Sequence, residues 1–444
     1  MEKYFKRFSE ENYYTKDEIK YRLDKEDKDK LDIIWNKIVD KRREKGYLTT
    51  FESQDKISFF YYEREKMKEN YLFLEQNSKL NLANSEDEEF RKKVFHESLI
   101  DEAMMSSAIE GAFSTRRRTE ELVKDRSPKN KDEKMILNNY CALEYINENS
   151  DVEITDDIIF ELHNIITEGT LEEEDITPRY RNNYVGVNNE QGKTIYEAPN
   201  HETVEDLMKK LLDYINADTK ENIFVKASII QFIFLYIHPF FDGNGRTARA
   251  LSYMYLIKNG YEFFKFFSIS YVINEYKRDY YKSILKCEDK DSDLTYFIDF
   301  NINMMAKAVK KTHKKYTIEY SKLAINKYIE NYRINLFPEQ KKLIEMYFEL
   351  EEQQITVEKY MKLFKLEEKE AKRQLDHFVT KNLFFKVPGK EAIYILRDFD
   401  YFNSSNMLKN MDKEMKKYKK YQEILKKCSK LLAEIYKENK VKKK

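Results

Sequence analysis

Nine consecutive residues, His238-Pro239-Phe240-Phe241-Asp242-Gly243-Asn244-Gly245-Arg246, bring an imidazole, a carboxylate, two glycines and a guanidinium into one short stretch, and Arg249 follows three positions after Arg246. Each type has a role in moving a phosphate-linked group. The imidazole titrates near neutral pH and suits proton removal from an incoming hydroxyl. Asp242 is an oxygen ligand of the kind Mg2+ takes together with substrate phosphates. Two glycines in three residues let the backbone approach a ligand and adopt positive φ. If a helix begins there, its free N–H groups and dipole face the same point, which favours a phosphate. Arg246 and Arg249 share a helix face and each offers a planar fork to phosphate oxygens. Transfer of this kind needs little beyond positioning and charge stabilisation.

Two apolar helices must hold this loop. Ile223 to Ile237 is apolar almost all round, the pattern of a buried helix, and it runs directly into His238-Pro239. A second apolar helix is expected from Thr247 to about Lys258, with Asn259-Gly260 as its stop. Upstream, residues 1–90 read as charged, tyrosine-rich helical segments, and residues 91–150 as helices joined by the polar loop Asp125 to Asn130. Thr155 is the expected cap of a further helix. Tyr184-Val185-Gly186-Val187 and Thr194-Ile195-Tyr196 flank the turn-forming Asn188 to Gly192, a β-hairpin signal inside a helical chain. From Phe337 the pattern becomes helix (Pro338 to Leu350), helix (Thr356 to Phe364), helix (Glu368 to Lys381), then strand, turn at Pro388-Gly389 and strand. That is a winged helix-turn-helix order. Beyond about residue 401 lies a lysine-rich helical tail.

Composition agrees with an all-α, mainly helical class. Only 9 Gly and 6 Pro occur in 444 residues, so turns are sparse. Lys+Arg and Asp+Glu balance at 80 each, which excludes a global field for nucleic acid or anionic membrane. Cys141, Cys287 and Cys428 are odd in number and far apart, with no disulfide or metal spacing, as in a reducing cytoplasm. The N-terminus is charged at once and lacks a signal-peptide pattern, and no apolar run reaches membrane-spanning length. A cytoplasmic, membrane-free protein is the expectation. His96, His163, His201, His313 and His377 show no zinc spacing and read as structural or surface residues.

His238 through Arg249 resembles, position for position, the signature of the Fic (Fido) family, His-Pro-Phe-x-Asp/Glu-Gly-Asn-Gly-Arg-x-x-Arg. The likeness extends over about residues 95–305. It implies a compact helical catalytic domain within residues 91–310 that moves AMP from ATP to a Ser, Thr or Tyr hydroxyl of a protein, itself included. By that resemblance His238 is the base, and Asp242 holds Mg2+ (or Mn2+) against the α- and β-phosphates. Gly243, Asn244, Gly245 and Arg246 form the anion nest, and Arg249 holds the γ-phosphate. Ser106-Ser107-Ala108-Ile109-Glu110-Gly111, unremarkable alone, resembles the family's inhibitory helix, here about residues 100–112. In that pattern Ser106, Glu110 and Gly111 are the marked positions, and Glu110 pairs with Arg249, so the chain is auto-inhibited. In some relatives the same glutamate positions a water that removes AMP, so reverse hydrolysis is a second expected activity. The hairpin matches the family flap, with Val185, Gly186, Val187, Ile195 and Tyr196 docking an extended target segment by strand addition. Tyr281 is the candidate for stacking on the base. Glu288 stands where some relatives carry a base-contacting Asn, and Gln231 where many have His, the latter a packing change.

The helix from Glu368, with Lys369, Lys372, Arg373, Gln374 and His377, would be the recognition helix of residues 311–400. Lys and Arg there suit DNA phosphates, while Glu367, Glu368 and Glu370 oppose them. Two other readings stay open. One is a DNA-binding regulator whose core only senses nucleotide; the other is a transferase of UMP, phosphate or phosphocholine. Many relatives dimerise, but no dimer face is visible here.

Overall fold

With so few glycines and prolines, little interrupts helix propagation, and a computed structural model of the chain is helical over most of its described length. It describes residues 2–77, 88–188, 194–350, 353–387, 389 and 392–397. The chain divides into two compact units, Met1–His313 and Lys314–Lys444. The expected basic tail, Cys428, most of the Asn188 to Gly192 turn and Pro388 lie outside the described residues.

In the first unit, α1 (Glu2–Phe5), α2 (Lys16–Lys20), α3 (Leu31–Lys45) and α4 (Glu65–Asn77) are joined, between α3 and α4, by a hairpin of β1 (Tyr47–Glu52) and β2 (Ser58–Tyr61). This hairpin corrects the all-helical reading of residues 1–90. Four of the five residues from Tyr47 to Phe51 are β-branched or aromatic. Lys56, at φ 60°, takes the left-handed turn position without a glycine to announce it. Next come α5 (Glu88–Ile109), α6 (Arg116–Asp125), α7 (Lys131–Glu148) and α8 (Asp156–Thr167). Thr155 caps α8 by accepting from Ile158 N–H, as expected. A hairpin of β3 (Gly186–Asn188) and β4 (Thr194–Glu197) stands where the pattern put it, with Val187 opposite Tyr196. Then follow α9 (Val204–Asn216), α10 (Ile223–Ile237), α11 (Asn244–Lys258), α12 (Ile269–Glu275), α13 (Lys277–Cys287) and α14 (Thr295–Asn331), whose residues from 314 on belong to the second unit.

α10 packs on α11, and α5 packs on α7 and α12. The apolar sequence of α10 has its reason in this arrangement: Phe224, Ile230, Phe232 and Phe234 are fully buried. Each such side chain contributes about 1.5–3 kcal/mol by leaving water, so the helix that ends at His238 is anchored along its whole length. Gln231 is buried too, donating to Tyr280 and accepting from Asn301, the packing role expected of it. Among the described residues no helix is long and apolar enough to cross a membrane.

The second unit contains α15 (Pro338–Met346), β5 (Ile355–Thr356), α16 (Val357–Phe364), α17 (Glu368–Thr380), β6 (Phe384–Val387) and β7 (Ile393–Leu396). The strands form one sheet in the order β5-β7-β6; the two-residue β5 is too short to show in a pattern. Leu343, Tyr360, Leu375, Phe378, Phe384 and Tyr394 form its core. Two residues assigned to a duplex-facing surface of α17 face elsewhere. Gln374 is buried, accepting from Tyr360 and donating to Glu370, and His377 is bound to Gln340. Lys372 and Arg373 are paired with Glu368 and Glu370 on the same helix.

Candidate active site

α10 stops at His238 because Pro239 has no N–H and disfavours helical backbone in the residue before it. His238 takes the left-handed cap conformation, φ 52°, while its N–H still reaches Phe234 O at 3.0 Å. Asn244 then folds the loop upon itself: its Nδ2 donates to Phe240 O at 2.7 Å and its Oδ1 accepts from Phe240 N–H at 3.0 Å. The Asn244 side chain is therefore committed to shaping the loop, and what it offers an anion is backbone. Gly243 turns the chain at φ +82°, and a Cβ there would sit 2.5 Å from Thr167 Cγ2. Both strain and collision exclude a side chain, so Gly243→Ala is expected to cost about 2 kcal/mol of stability. A denaturant melt indistinguishable from wild type would contradict this.

The neighbours of the imidazole fix its tautomer and charge. His238 Nδ1 faces Leu235 O at 3.3 Å. A carbonyl only accepts, so Nδ1 carries the proton and Nε2 keeps its lone pair. Burial holds the pKa down to about 4, against a weaker opposing pull from the Leu235 carbonyl, so the ring is neutral at physiological pH. Arg181 fixes this corner. It is buried among backbone carbonyls, its Nε donating to His238 O at 2.8 Å and its Nη1 to Asn183 O at 2.9 Å. Its Nη2 reaches Pro199 O, and its own N–H reaches Pro239 O at 2.9 Å.

Beyond the loop, α11 begins three residues earlier than expected, at Asn244, so the glycine segment runs straight into the helix. Gly243 is its N-cap and gives no side-chain cap, leaving first-turn N–H groups without a helical partner. Asp242 stands at the entrance with its side chain 52% exposed. Its Oδ1 accepts from Gly243 N–H at 2.5 Å and its Oδ2 lies 3.6 Å from Arg246 Nη2. His163 holds Asp242 from behind: its Nε2 is 2.9 Å from Asp242 O and its ring stacks on Phe240 at 3.6 Å. Burial lowers the His163 pKa to about 4, so it too is neutral. Arg246 is fully buried, with Nη1 donating to Ile166 O at 3.1 Å and Nε without a hydrogen-bond partner. An orphaned guanidinium N–H beneath an uncapped helix start fits a polyanion. Among the described residues no three His, Cys, Asp or Glu side chains gather as a metal cage. A single carboxylate beside an uncapped helix start fits a Mg2+ ion that takes most of its ligands from a bound phosphate.

α5 ends beside this helix start. Gly111 N–H donates to Ala108 O at 3.1 Å and Ala112 N–H to Ser107 O at 3.0 Å, with Gly111 at φ +96°: a Schellman stop. The stop projects Glu110 onto Arg249. Arg249 Nε donates to Ser106 Oγ at 3.0 Å and Nη2 to Ser106 O at 2.8 Å. Glu110 Oε1 lies 2.9 Å from Nη1 but off the N–H direction, so the charges touch without an aligned hydrogen bond. Burial pulls the Arg249 pKa down, yet Glu110 and the nearby tyrosines leave it above its ordinary value. A Cβ on Gly245 would collide with Glu110 Oε1, so the second glycine is what admits the carboxylate.

The structure thus gathers His238, Asp242, Gly243, Gly245, Arg246, Arg249, Ser106, Glu110 and Gly111 around one loop. Tyr281 joins them in an unexpected way: its hydroxyl donates to Ile109 O at 3.0 Å, at the end of α5. Val185 precedes β3 and Gly186 opens it opposite Glu197, and Val185 O accepts from Ala198 N–H at 3.2 Å. Ile195 and Tyr196 line a cavity of about 680 Å3 with Gln54, Tyr236, Leu285 and Glu288. In that cavity Glu288 Oε2 is buried without a hydrogen-bond partner, and burial raises the carboxyl pKa to about 8. Arg181 and the support given by His163 were not singled out in the sequence, because each is a lone residue acting on a distant segment.

Residues 153–256 match the Fic/DOC family model, a span that includes the whole loop and excludes the Ser106–Gly111 turn. Among solved structures, a Fic family protein from Desulfovibrio desulfuricans G20 is 20% identical, with 75% of this chain and 95% of that chain covered and a TM-score of 0.48. A Fic domain containing signaling protein from Bacteroides thetaiotaomicron is 19% identical over 57% of this chain and 94% of its own, with a TM-score of 0.46. Fic-1 from C. elegans is 18% identical over 66% of this chain and 78% of its own, with a TM-score of 0.47. By the family match, the loop from His238 to Arg249 lies in a Fic/DOC family domain at residues 153–256 of this chain.

Proposed function

We propose that this site transfers AMP from ATP to a hydroxyl of a protein and that Glu110 holds it in check. The observation that carries the reading is the neutral His238, with Nε2 free, beside an uncapped helix start that also holds Asp242, Arg246 and Arg249. His238 Nε2 takes the proton of a Ser, Thr or Tyr hydroxyl. The oxygen attacks the α-phosphorus, the bond from that phosphorus to the β-phosphate bridging oxygen breaks, and pyrophosphate leaves. When bound, Mg2+ or Mn2+ neutralises developing charge on the phosphates, and Asp242 is the residue to hold it. The first-turn N–H groups of α11 and the Arg246 fork cradle the phosphates, and Arg249 takes the terminal one once Glu110 leaves. With Glu110 in place, the same carboxylate suits water activation for the reverse removal of AMP. The target segment docks along β3–β4. Incubation of the Glu110→Gly protein with ATP and Mg2+ is expected to add the mass of one AMP. Labelling by UTP in preference to ATP, or transfer of phosphate alone, would replace this reading.

Glu288 bears on the base. A neutral carboxyl both donates and accepts, matching N1 and the amino group of adenine, whereas a carboxylate only accepts and suits guanine. Since its pKa is raised to about 8, the carboxyl is protonated at pH 7 and ionises above pH 8. The ATP-over-GTP preference of Glu110→Gly labelling is therefore expected to fall about fivefold or more between pH 7 and pH 9. Adding Glu288→Gln should keep it constant. A ratio indifferent to pH with Glu288 intact would separate this residue from base choice.

A further inference from the structure

The last turn of α5 leaves four carbonyls without helical partners. Ser106 O accepts from Arg249 Nη2, and Ser107 O from Ala112 N–H. Ala108 O accepts from Gly111 N–H and from Lys277 Nζ at 3.3 Å; Ile109 O accepts from the Tyr281 hydroxyl at 3.0 Å. Lys277 and Tyr281 are four residues apart on α13 and so share one face of it. They place an ammonium and a hydroxyl against the negative pole of α5, one turn from the residue that occupies Arg249.

A second grip holds α5 farther back. The Glu102 carboxylate accepts from Ser268 Oγ at 2.9 Å, Ser270 N–H at 2.9 Å and Ser270 Oγ, at the start of α12. The two grips differ in access. Glu102, Ser268 and Ser270 are all buried, whereas Tyr281 is 39% exposed and Lys277 is half-buried. The deep contact fixes the helix; the shallow one governs only its final turn.

We propose that Lys277 and Tyr281 form a latch that keeps the Glu110 turn closed on Arg249, so that losing these two hydrogen bonds releases the nucleotide site. This rests on the reading of Glu110 as the brake. Both are positioning residues: they act on Glu110 and not on the reacting atoms. The contacts also give Tyr281 a role that needs no stacking on a base.

The test pairs a mechanical readout with a functional one, in the full chain. Hydrogen exchange is followed at the amides of Glu110, Gly111 and Ala112, which bond to Ser107 O and Ala108 O. Tyr281→Phe is expected to speed their exchange roughly fivefold, and Lys277→Met with Tyr281→Phe roughly twentyfold. Exchange in α10 should stay at the wild-type rate, and Lys277→Arg should behave as wild type. Self-labelling with ATP and Mg2+ should rise by similar factors, short of Glu110→Gly. Unchanged exchange at the three amides overturns the latch. So does faster exchange throughout α10, the mark of general destabilisation. Faster local exchange with wild-type labelling, while Glu110→Gly labels strongly, overturns the control but leaves the brake standing. If Glu110→Gly is itself silent, the brake reading fails and the latch has nothing to govern.

Discussion

Glu110→Gly should raise self-labelling by ATP and Mg2+ about 100-fold over wild type. In the closed structure Glu110 Oε1 stands 2.9 Å from Arg249 Nη1, and Ser106 already holds Nε and Nη2. Two nitrogens of the fork are hydrogen-bonded and the carboxylate stands against the third, so a terminal phosphate gains nothing there unless the carboxylate leaves. A state held closed in about 99 of 100 molecules gives a 100-fold rise when the closing contact is deleted. Stability should fall at the same time, because Arg249 keeps its charge in a buried place. The loss should be smaller than the ~3–5 kcal/mol of a fully buried pair, since the Glu110 side chain is 29% exposed and its contact is off line. Radiolabel incorporation and a melt on the same two proteins measure both. Equal incorporation would remove Glu110 from the mechanism.

The second large effect belongs to the base. In the Glu110→Gly background, His238→Ala should lower labelling about 10²- to 10⁴-fold, the usual range for a general base. Acidity gives a finer check. With the pKa near 4, His238 stays unprotonated through neutral pH, so the acid limb of the rate should lie well below the usual histidine value of 6.5. The stability sign follows from the same shift. His238 and His163 are both depressed to about 4, so between pH 6.5 and pH 4 the unfolded chain binds protons that the folded chain refuses. Stability is present above pH 6.5 and is lost as pH falls through that window. A labelling rate that halves near pH 6.5 would place a different group in the role of base.

Local patterns made much of this readable. α10 was legible because a helix that is apolar all round has few places to go but the core, and Pro239 fixes where it ends. The loop was legible because Asp242, the two glycines and the two arginines are close in sequence. What local pattern hides is support from afar. Arg181 acts on His238 from 57 residues away, and His163 on Asp242 from 79. Neither belongs to any periodicity that would single it out. The early start of α11 was missed because glycine and asparagine are poor helix formers, yet a first turn, whose N–H groups have no helical partner anyway, tolerates them. β1–β2 was missed because its turn uses Lys56 at positive φ where a glycine or asparagine would have been the signal. Tyr281 was singled out for stacking on a base, and no sequence pattern indicates that its hydroxyl will meet a helix end contributed by another segment.

Arg181 carries a consequence for accuracy. One guanidinium grips the carbonyl under the imidazole together with the two backbone points, Asn183 and Pro199, where the chain enters and leaves the β-hairpin. On the proposed function, a guest strand laid on that hairpin is indexed to the proton acceptor by a single rigid part, as a workpiece and a tool are aligned by clamping both to one jig. An error in the guest's sequence alters how firmly it is held, while the distance from its hydroxyl to the imidazole is inherited from the frame.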